Sequence, residues 1–293
     1  DEALGLQNDV GILSNHGDTA TIVTLDSMSE GTHFLASDPR HTVGQKLVRV
    51  NVSDILSKGA YPAQALLSFA LPRSFDEPQF KSLCEGVEAE FKAWQIDLVG
   101  GDTIGTDGPL VLSLVLTGQC VRQGPIPRSG ASPGDRLFVT GEIGNGDLGL
   151  QAVLGEGSDN HKAKYRVPGI PHREWIGLLA DFASASLDVS DGLLSDAGHL
   201  AFASNVAVEI DLYRVPWAEH GISLERMLNL ATGGDDYQTL FTVSPGKLDE
   251  FRRKAADTGV EAIEIGEIET GEGVRIHNSG EFVPLPPVKG YEH

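Results

Sequence analysis

The stretch that most constrains the fold is residues 187–196, where an alternating strand pattern changes within a few residues to a helical one. The segment 187–189 alternates apolar and acidic residues, as the end of a half-buried strand does, and after Gly192 the apolar residues recur at helical spacing. Backbone N–H groups are unpaired at such a corner, so a ligand can approach it. Ser190 or Asp191 can equally serve there as an ordinary helix N-cap.

Similar acidic corners recur along the chain. We group as acidic corners the aspartates at or near the ends of predicted elements, namely Asp9, Asp26, Asp54, Asp102, Asp188 with Asp191, and Asp235 with Asp236. Each aspartate alone can be a cap or turn residue. Mg²⁺ prefers oxygen ligands, with one or two carboxylates per ion and phosphates or water completing the shell. The repeated corners therefore favour a site in which several Mg²⁺ ions neutralise phosphate groups.

The order of predicted elements indicates an α/β fold with two layered domains. We expect strands at 10–13, 19–25, 65–71, 96–99 and 110–116, and helices from residue 43 to Gly59 and over 74–94. The strand at 96–99 is expected to end in the turn Gly100-Gly101-Asp102-Thr103. Asn51, Asp54 and Lys58 form one polar stripe on the otherwise apolar first helix. A half-buried carboxylate such as Asp54 needs a lysine, an amide or a metal as partner.

The segment 124–134 is rich in proline, glycine and serine and is the best linker, which places the domains at 1–123 and 124–293. Beyond it we expect strands at 136–140, 207–212, 239–243 and three short ones near 261–266, 273–277 and 281–284. Helices are expected at 148–154, 175–182 and 247–258, and residues 155–172 as a surface loop or lid.

Composition narrows the possible partners. The formal charge of −20 over 293 residues argues against nucleic acid or an anionic membrane surface, although much of it can be ordinary acidic solubility. Two cysteines make no disulfide framework, no signal peptide is visible and the apolar runs are too short to span a bilayer. We expect a cytoplasmic protein, and, because the chain starts at Asp1, one whose native N-terminus is incomplete.

Common catalytic and nucleotide motifs are absent or weak. The sequence has no G-x-x-x-x-G-K-[ST], G-x-S-x-G, H-E-x-x-H or C-x-x-C motif. Residues 144–149 match G-x-G-x-x-G, but no second strand ending in an acidic residue follows at the expected offset, and Asp147 would repel a pyrophosphate. A tight strand–helix turn explains this loop better than a dinucleotide site.

An ordered series of motifs resembles the thiamine-monophosphate kinase family, of the aminoimidazole-ribonucleotide-synthetase-like ATP-binding superfamily. The series covers nearly the whole chain and comprises Asn8-Asp9, Asp26 with Glu30-Gly31-x-His33-Phe34, Asn51-Val52-Ser53-Asp54, Gly100-Gly101-Asp102-Thr103, Arg128-Ser129-Gly130-Ala131-x-Pro133-Gly134-Asp135, Val139-Thr140-Gly141, Asp188-x-Ser190-Asp191-Gly192-Leu193, Gly233-Gly234-Asp235-Asp236-Tyr237 and Lys289-Gly290-Tyr291. A single Gly-Gly-Asp is unspecific, whereas nine motifs in this order are not.

The resemblance implies ATP-dependent phosphorylation of thiamine phosphate to thiamine diphosphate, in a homodimer whose N-terminal domains pair through their sheets. It implies Mg²⁺ ligation by Asp9, Thr24, Asp26, Asp54, Asp102, Asp188 and Asp191. It further implies ATP contacts from Arg128, Ser190, Gly101 and Asp102, thiamine contacts from His33, Asp235 and Tyr291, and catalytic roles for Asp54, Asp102 and Asp191.

The chain departs from the family pattern at three places. Asn8 stands where a first aspartate is common, and Leu25 replaces a threonine just before Asp26, so that side-chain ligation is lost there. Asp235 replaces a glutamate and is one methylene shorter, which puts its substrate contact in question.

The acceptor is already a phosphate anion, so direct in-line attack needs no strong general base. Two alternatives stay open at this point. One is another ATP-dependent enzyme of the superfamily, such as an amidine synthetase, a selenophosphate synthetase or a hydrogenase-maturation dehydratase. The other is a non-catalytic nucleotide- or metal-binding module, for which Leu25 and Asp235 are the only support.

Overall fold

We analysed a computed structural model, which describes residues 3–6, 8–16 and 19–290. The described residues form two β-sheets with helices packed on them. All strands of the first sheet precede residue 121, and all strands of the second follow residue 135. None of the helices described is long and apolar enough to cross a membrane.

The first sheet has five described strands in the order β1-β2-β5-β3-β4. They are β1 (Gly11–His16), β2 (Thr19–Ser29), β3 (Ala60–Pro72), β4 (Asp97–Thr106) and β5 (Val111–Cys120). Two long helices, α1 (Arg40–Ser57) and α2 (Glu77–Trp94), pack together, and α1 also packs on β2, β3 and β5. The inward residues of β2 and β5, such as Ile22 and Leu114, are fully buried under these helices.

The opposite face of this sheet carries no helix among the described residues. In β5 and in the first part of β2, buried residues alternate with partly exposed ones, as expected of a sheet that is covered on one side. This face carries exposed large apolar residues at Leu25 of β2, Leu66 of β3 and Ile104 of β4. We call this the open face of the first sheet.

The second sheet has seven described strands in the order β12-β11-β8-β10-β6-β9-β7. These are β6 (Arg136–Thr140), β7 (Ala183–Val189), β8 (Ala207–Asp211), β9 (Gln238–Val243), β10 (Ala262–Glu269), β11 (Gly273–Asn278) and β12 (Glu281–Val283). The helices of this half are α3 (Asn145–Val153), α4 (Asp159–Arg166), α5 (Trp175–Phe182), α6 (Leu193–Ser204), α7 (Leu224–Thr232) and α8 (Leu248–Thr258).

Helix α1 joins the two halves of the molecule. Besides its own sheet it contacts β7 and β9 of the second sheet and helix α5. Its buried residues belong to one apolar core that continues into the second half through Trp175, Phe241 and Phe251. Polar side chains on α1 are therefore held between the two sheets.

Most predicted elements are present, and two predictions are wrong. The strand at 136–140, the helix at 175–182 and the strand-to-helix corner after Val189 are confirmed. Gly100-Gly101-Asp102-Thr103 is not a turn, because β4 runs through it to Thr106 and pairs in parallel with β3. Residues 155–172 are not merely a loop, since they contain α4, which begins at a Ser158 side-chain cap and buries Tyr165. Helix α7 was not predicted.

Candidate active site

A cavity of about 430 Å³ lies where the two halves meet. It is lined by residues from α1, β2, the corner after β7, α3, α4 and the loop before β9. Seven of the residues predicted from sequence line it: Asp26, His33, Asp54, Asp188, Ser190, Asp191 and Asp235. Residues separated by more than two hundred positions in the chain thus share one concave site.

Three carboxylates lie together, and two of them, Asp54 and Asp188, line the cavity. Ligand oxygens of Asp9, Asp54 and Asp188 all lie within 4.8 Å of one another. Asp54 comes from α1 and Asp188 from β7, so the group forms only because α1 packs between the sheets. We call Asp9, Asp54 and Asp188 the acidic cluster.

Hydroxyl groups orient two of these carboxylates. The Thr24 hydroxyl donates to Asp54 Oδ2 at 2.5 Å, and the Ser53 hydroxyl donates to Asp188 Oδ2 at 2.7 Å. Thr24, predicted as a metal ligand, is therefore beside the acidic cluster through its contact with Asp54. A small set of hard oxygen donors held this closely matches what Mg²⁺ or Mn²⁺ binds.

Crowding and burial disfavour the ionised forms of two carboxylates of the acidic cluster, Asp54 and Asp188. Burial, together with the charges of Asp26, Asp188 and Asp9, holds the pKa of Asp54 well above its usual range. Burial and the neighbouring Asp9 carboxylate raise the pKa of Asp188 to about 7. Shifted pKa values of this kind are common at binding and catalytic sites.

Two internal cations face the third carboxylate. Lys58 Nζ lies 2.5 Å from Asp9 Oδ2, and the Arg128 guanidinium hydrogen-bonds to Asp9 Oδ1. Burial raises the pKa of Asp9, but the Lys58 and Arg128 charges outweigh it and bring that pKa below its ordinary value. Arg128, predicted to contact ATP, thus reaches the site by way of Asp9.

At the corner after β7, the N–H groups of Asp191 and Gly192 both donate to Asp196 Oδ2 at 3.1 Å. Asp196 lies in the first turn of α6 and is buried. The corner is closely packed, because a Cβ on Gly234 would lie 2.5 Å from the Ser190 carbonyl oxygen. The Ser190 and Asp191 side chains still face the cavity.

The G-x-G-x-x-G loop is occupied by a carboxylate of the chain itself. Asp236 accepts hydrogen bonds from the N–H groups of Gly144 and Gly146, at 2.8 and 3.0 Å, where α3 begins. Burial raises the pKa of Asp236 to about 7, although these bonds oppose the rise. The N-terminus of α3 therefore carries an internal acidic partner where a dinucleotide site would hold pyrophosphate.

A second polar group lies at the other end of the cavity around Asp235. Lys46 Nζ lies 2.6 Å from Asp235 Oδ2 and 3.0 Å from the His33 carbonyl oxygen, and the Tyr237 hydroxyl donates to Asp235 Oδ1 at 2.8 Å. Burial raises the pKa of Asp235, but the Lys46 charge and the Tyr237 bond bring it below its ordinary value. The ring of Tyr165 lies 4.2 Å from Lys46 Nζ and closes this end.

Asp102 and Gly101 are not brought to the cavity of their own chain. Asp102 pairs with Ser68, which is level with Ser113, which is level with Ser27 of β2. Three strand spacings of about 4.8 Å place Asp102 roughly 14 Å from the β2 residue at its level. Asp102 is exposed, and it shares a register row with three serines of the open face.

Tyr291 lies outside the described residues, and Gly290 just before it lines the cavity. The roles of the predicted site residues stay predictions at this level. Three residues were missed from sequence: the lining residues Tyr165 and Tyr237, and Lys46, which pairs with the lining residue Asp235. Lys46 could have been found, because it precedes Asp54 by about two helical turns and so shares its face of α1. Tyr165 had no local signal.

Comparisons with known proteins agree on one family. The AIR synthase related protein N-terminal domain matches residues 7–120, and the corresponding C-terminal domain matches residues 132–278. The chain is similar to a thiamine-monophosphate kinase of Caulobacter vibrioides, with 38% identity over 99% of this chain and 85% of that protein. It is also 31% identical to one of Salmonella typhimurium, over 100% and 92% of the two lengths.

A solved structure described as "AaThiL complexed with AMPPCP and TMP" has a similar fold. It superposes with a TM-score of 0.84 at 29% identity, covering 98% of this chain and 91% of that one. The α/β architecture with two domains is therefore shared with these relatives.

Proposed function

The chain belongs to the thiamine-monophosphate kinase family, and on that premise we propose that its inter-sheet cavity phosphorylates thiamine phosphate to thiamine diphosphate with ATP as donor. The observation that carries this is the convergence of Asp26, Asp54, Asp188 and Asp191 on one cavity. A related protein of the same fold was solved with the ATP analogue AMPPCP and with TMP. Both substrates are polyanions, so a site that joins them needs cations between them.

We assign the cation-binding end to the acidic cluster and the residues beside it. Asp54, Asp188, Asp26 and Asp191 would hold Mg²⁺ through carboxylate oxygens, with Thr24 at the edge of the set. When bound, Mg²⁺ supplies charge neutralisation for the two phosphate groups and an alignment for in-line transfer. Asp188 is buried, whereas Asp26, Asp54 and Asp191 are partly exposed where they line the cavity.

The acceptor end is assigned to Asp235, His33 and the segment that leads to Tyr291. Asp235 is shorter than the family glutamate, but Lys46 and Tyr237 fix both of its oxygens and hold it ionised. A fixed carboxylate can accept hydrogen bonds from an amino-substituted aromatic ring or face a cationic one. Ser190, which lines the cavity, and Arg128, which pairs with Asp9, are proposed to contact ATP phosphates.

The chain's residues act mainly by position. The acceptor oxygen is already anionic, so no side chain has to remove a proton from it. Catalytic roles for Asp54 and Asp191 therefore consist in holding cations at fixed places beside the transferred phosphoryl group.

We further propose that the chain acts as a homodimer through the open face, with domains at 1–123 and 124–293. Exposed apolar side chains at Leu25, Leu66 and Ile104 form a surface that a second sheet would cover. Asp102 lies on the same face and is far from its own cavity, so it would reach the ATP site of the partner copy. Gly101, the residue before Asp102, would lie at the same ATP site of the partner copy. A cytoplasmic location completes the proposal.

Mixing two inactive variants tests the shared site. Asp54→Asn and Asp102→Asn damage different residues, so a mixed dimer has one intact site if Asp102 acts across the interface. After co-refolding in equal amounts, about a quarter of wild-type turnover should return, because half the dimers are mixed and each has one good site. No recovery above the two separate variants would place Asp102 outside a shared site.

Release of ADP, measured with a coupled assay, tests the activity itself. Turnover is expected with thiamine phosphate, and not with free thiamine or with aminoimidazole precursors offered as acceptors. Turnover with one of the other acceptors would favour another enzyme of the superfamily. Nucleotide binding without turnover on any acceptor would favour a non-catalytic module.

A further inference from the structure

Lys58 is an enclosed ammonium group at the floor of the site. Its side chain is 0% exposed, and Nζ lies 2.5 Å from Asp9 Oδ2 and 2.5 Å from the Ser186 carbonyl oxygen. No part of this side chain can turn toward solvent without leaving the core. Burial lowers the pKa of Lys58, and the Asp9 carboxylate at ion-pair distance opposes this, so the ammonium group is held in place by its pairing with Asp9.

Arg128 differs from Lys58 although both face the same carboxylate. Arg128 is 23% exposed and pairs with the other oxygen of Asp9. Arg128 is therefore the more accessible of the two cations, whereas Lys58 is enclosed. Asp9 thus keeps one internal cation whether or not an anionic ligand is bound.

The charged groups around Lys58 indicate how it affects cation binding. The three carboxylates of the acidic cluster have ligand oxygens within 4.8 Å of one another, and Asp26 also faces the cavity. A divalent ion beside Asp9 would lie close to the Lys58 ammonium, and like charges in a poorly hydrated site repel strongly. Asp54 and Asp188 have no such lysine at ion-pair distance among the described residues.

We propose that Lys58 is a built-in cation that takes the place of a divalent ion beside Asp9, so that ions bind the acidic cluster through Asp54 and Asp188 alone. Lys58 is a positioning residue, since it acts through Asp9. The inference rests on the proposed function, because it presupposes that the cluster binds divalent ions. It changes the expectation for Asp9, which would ligate an ion only when Lys58 is absent.

Counting bound Mn²⁺ tests this without any turnover measurement. The purified full chain and its variants are titrated with Mn²⁺, with free ion read from its paramagnetic resonance signal. Asp9→Asn should leave the number of bound ions and their affinity within about twofold of wild type. Lys58→Met should bind about one additional Mn²⁺ per chain. The double variant Asp9→Asn/Lys58→Met should return to the wild-type number, which places the gained ion on Asp9.

Two controls separate this from a purely structural ion pair. Lys81→Met removes an exposed lysine of α2 and should change neither ion number nor stability. Asp54→Asn should lower the number or the affinity of bound ions. A purely structural pair would lower the melting temperature of Lys58→Met and leave its Mn²⁺ count at the wild-type value.

Three results would overturn the inference. Loss of a bound ion in Asp9→Asn would show that Asp9 is a ligand despite Lys58, and this variant decides the matter even if Lys58→Met fails to fold. An unchanged count in a folded Lys58→Met would also refute it. Absence of Mn²⁺ binding in the wild type would refute the proposed cation site, and with it the role of Lys58.

Discussion

Strands β4 and β9 each carry three large apolar residues but lie in opposite environments. Every residue of β9 is buried, because neighbouring strands and the helices of the second half cover it. Nine of the ten residues of β4 are exposed, including Leu98, Val99 and Ile104. The second sheet is enclosed by its own helices and by α1, with which it shares a buried core, whereas the first sheet leaves an apolar face exposed. Substitutions at apolar positions of the two sheets test this difference in environment.

The largest effect is expected from a charge placed inside the closed sheet. Leu240 of β9 is 0% exposed, so Leu240→Asp would bury a carboxylate with no partner. The cost is several kcal/mol out of a typical total of about 5–15 kcal/mol, and the chain should not fold at 25 °C. Circular dichroism and thermal melting check this. A folded, cooperative Leu240→Asp protein would contradict the closed character of β9.

A large effect on turnover, without loss of stability, is expected at the floor between the sheets. Asp54→Asn should reduce turnover by about a hundredfold or more, because a proposed cation ligand is removed. The same change should raise the melting temperature measured without divalent ions, because Asp54 is a crowded carboxylate whose pKa is held high. If the melting temperature fell and turnover stayed at the wild-type level, Asp54 would contribute to stability and not to the reaction.

An intermediate effect is expected on the open face. Ile104→Asp changes a residue that is 55% exposed, so the monomer's own fold should keep its melting temperature within a few degrees. The apolar contact with a second copy should be lost, and turnover should fall about tenfold or more if Asp102 acts across the interface. Sedimentation velocity of wild type and variant gives the assembly state. A dimer that persists in Ile104→Asp would locate the interface elsewhere.

The smallest effect is expected from pH, through Asp236. Its pKa is about 7 in the folded chain and near 3.8 when unfolded, so the folded state binds more protons between these values. The stability contributed by protonated Asp236 is full below about pH 4 and is lost as the pH rises through about 7. In denaturant titrations from pH 5 to 8, Asp236→Asn should show a shallower fall in unfolding free energy than wild type. Equal slopes would mean that Asp236 does not titrate there.

Local patterns predicted the elements well, and failed where a partner strand or a distant side chain decides the outcome. The corner after Val189 was predicted correctly, because the spacing of apolar residues changes there from strand-like to helical. Gly100 and Gly101 suggested a turn, but pairing with β3 keeps them extended, and a Cβ on Gly101 would meet the Leu67 carbonyl oxygen at 2.2 Å. Spacing alone cannot show such a close approach.

For the site, sequence predicted which aspartates matter better than where each one lies. Asp54 and Asp188 were expected near each other and are. Lys58 was visible as part of a polar stripe with Asp54, but its partner Asp9 lies on a loop forty-nine positions away. Asp102 was predicted in the same motif series and lies on another face. Ion pairing across the chain depends on packing, which local spacing does not encode.

Helix α1 also sets a length. Lys46, at the acceptor end, and Asp54, at the cation end, are eight residues apart on one rigid rod, and at 1.5 Å per residue this amounts to about 12 Å. On the proposed assignment of the two ends, the helix would fix the distance between the ring of the acceptor and the phosphate that reacts. Inserting or deleting a single residue between the two marks would rotate one away from the cavity by about 100°.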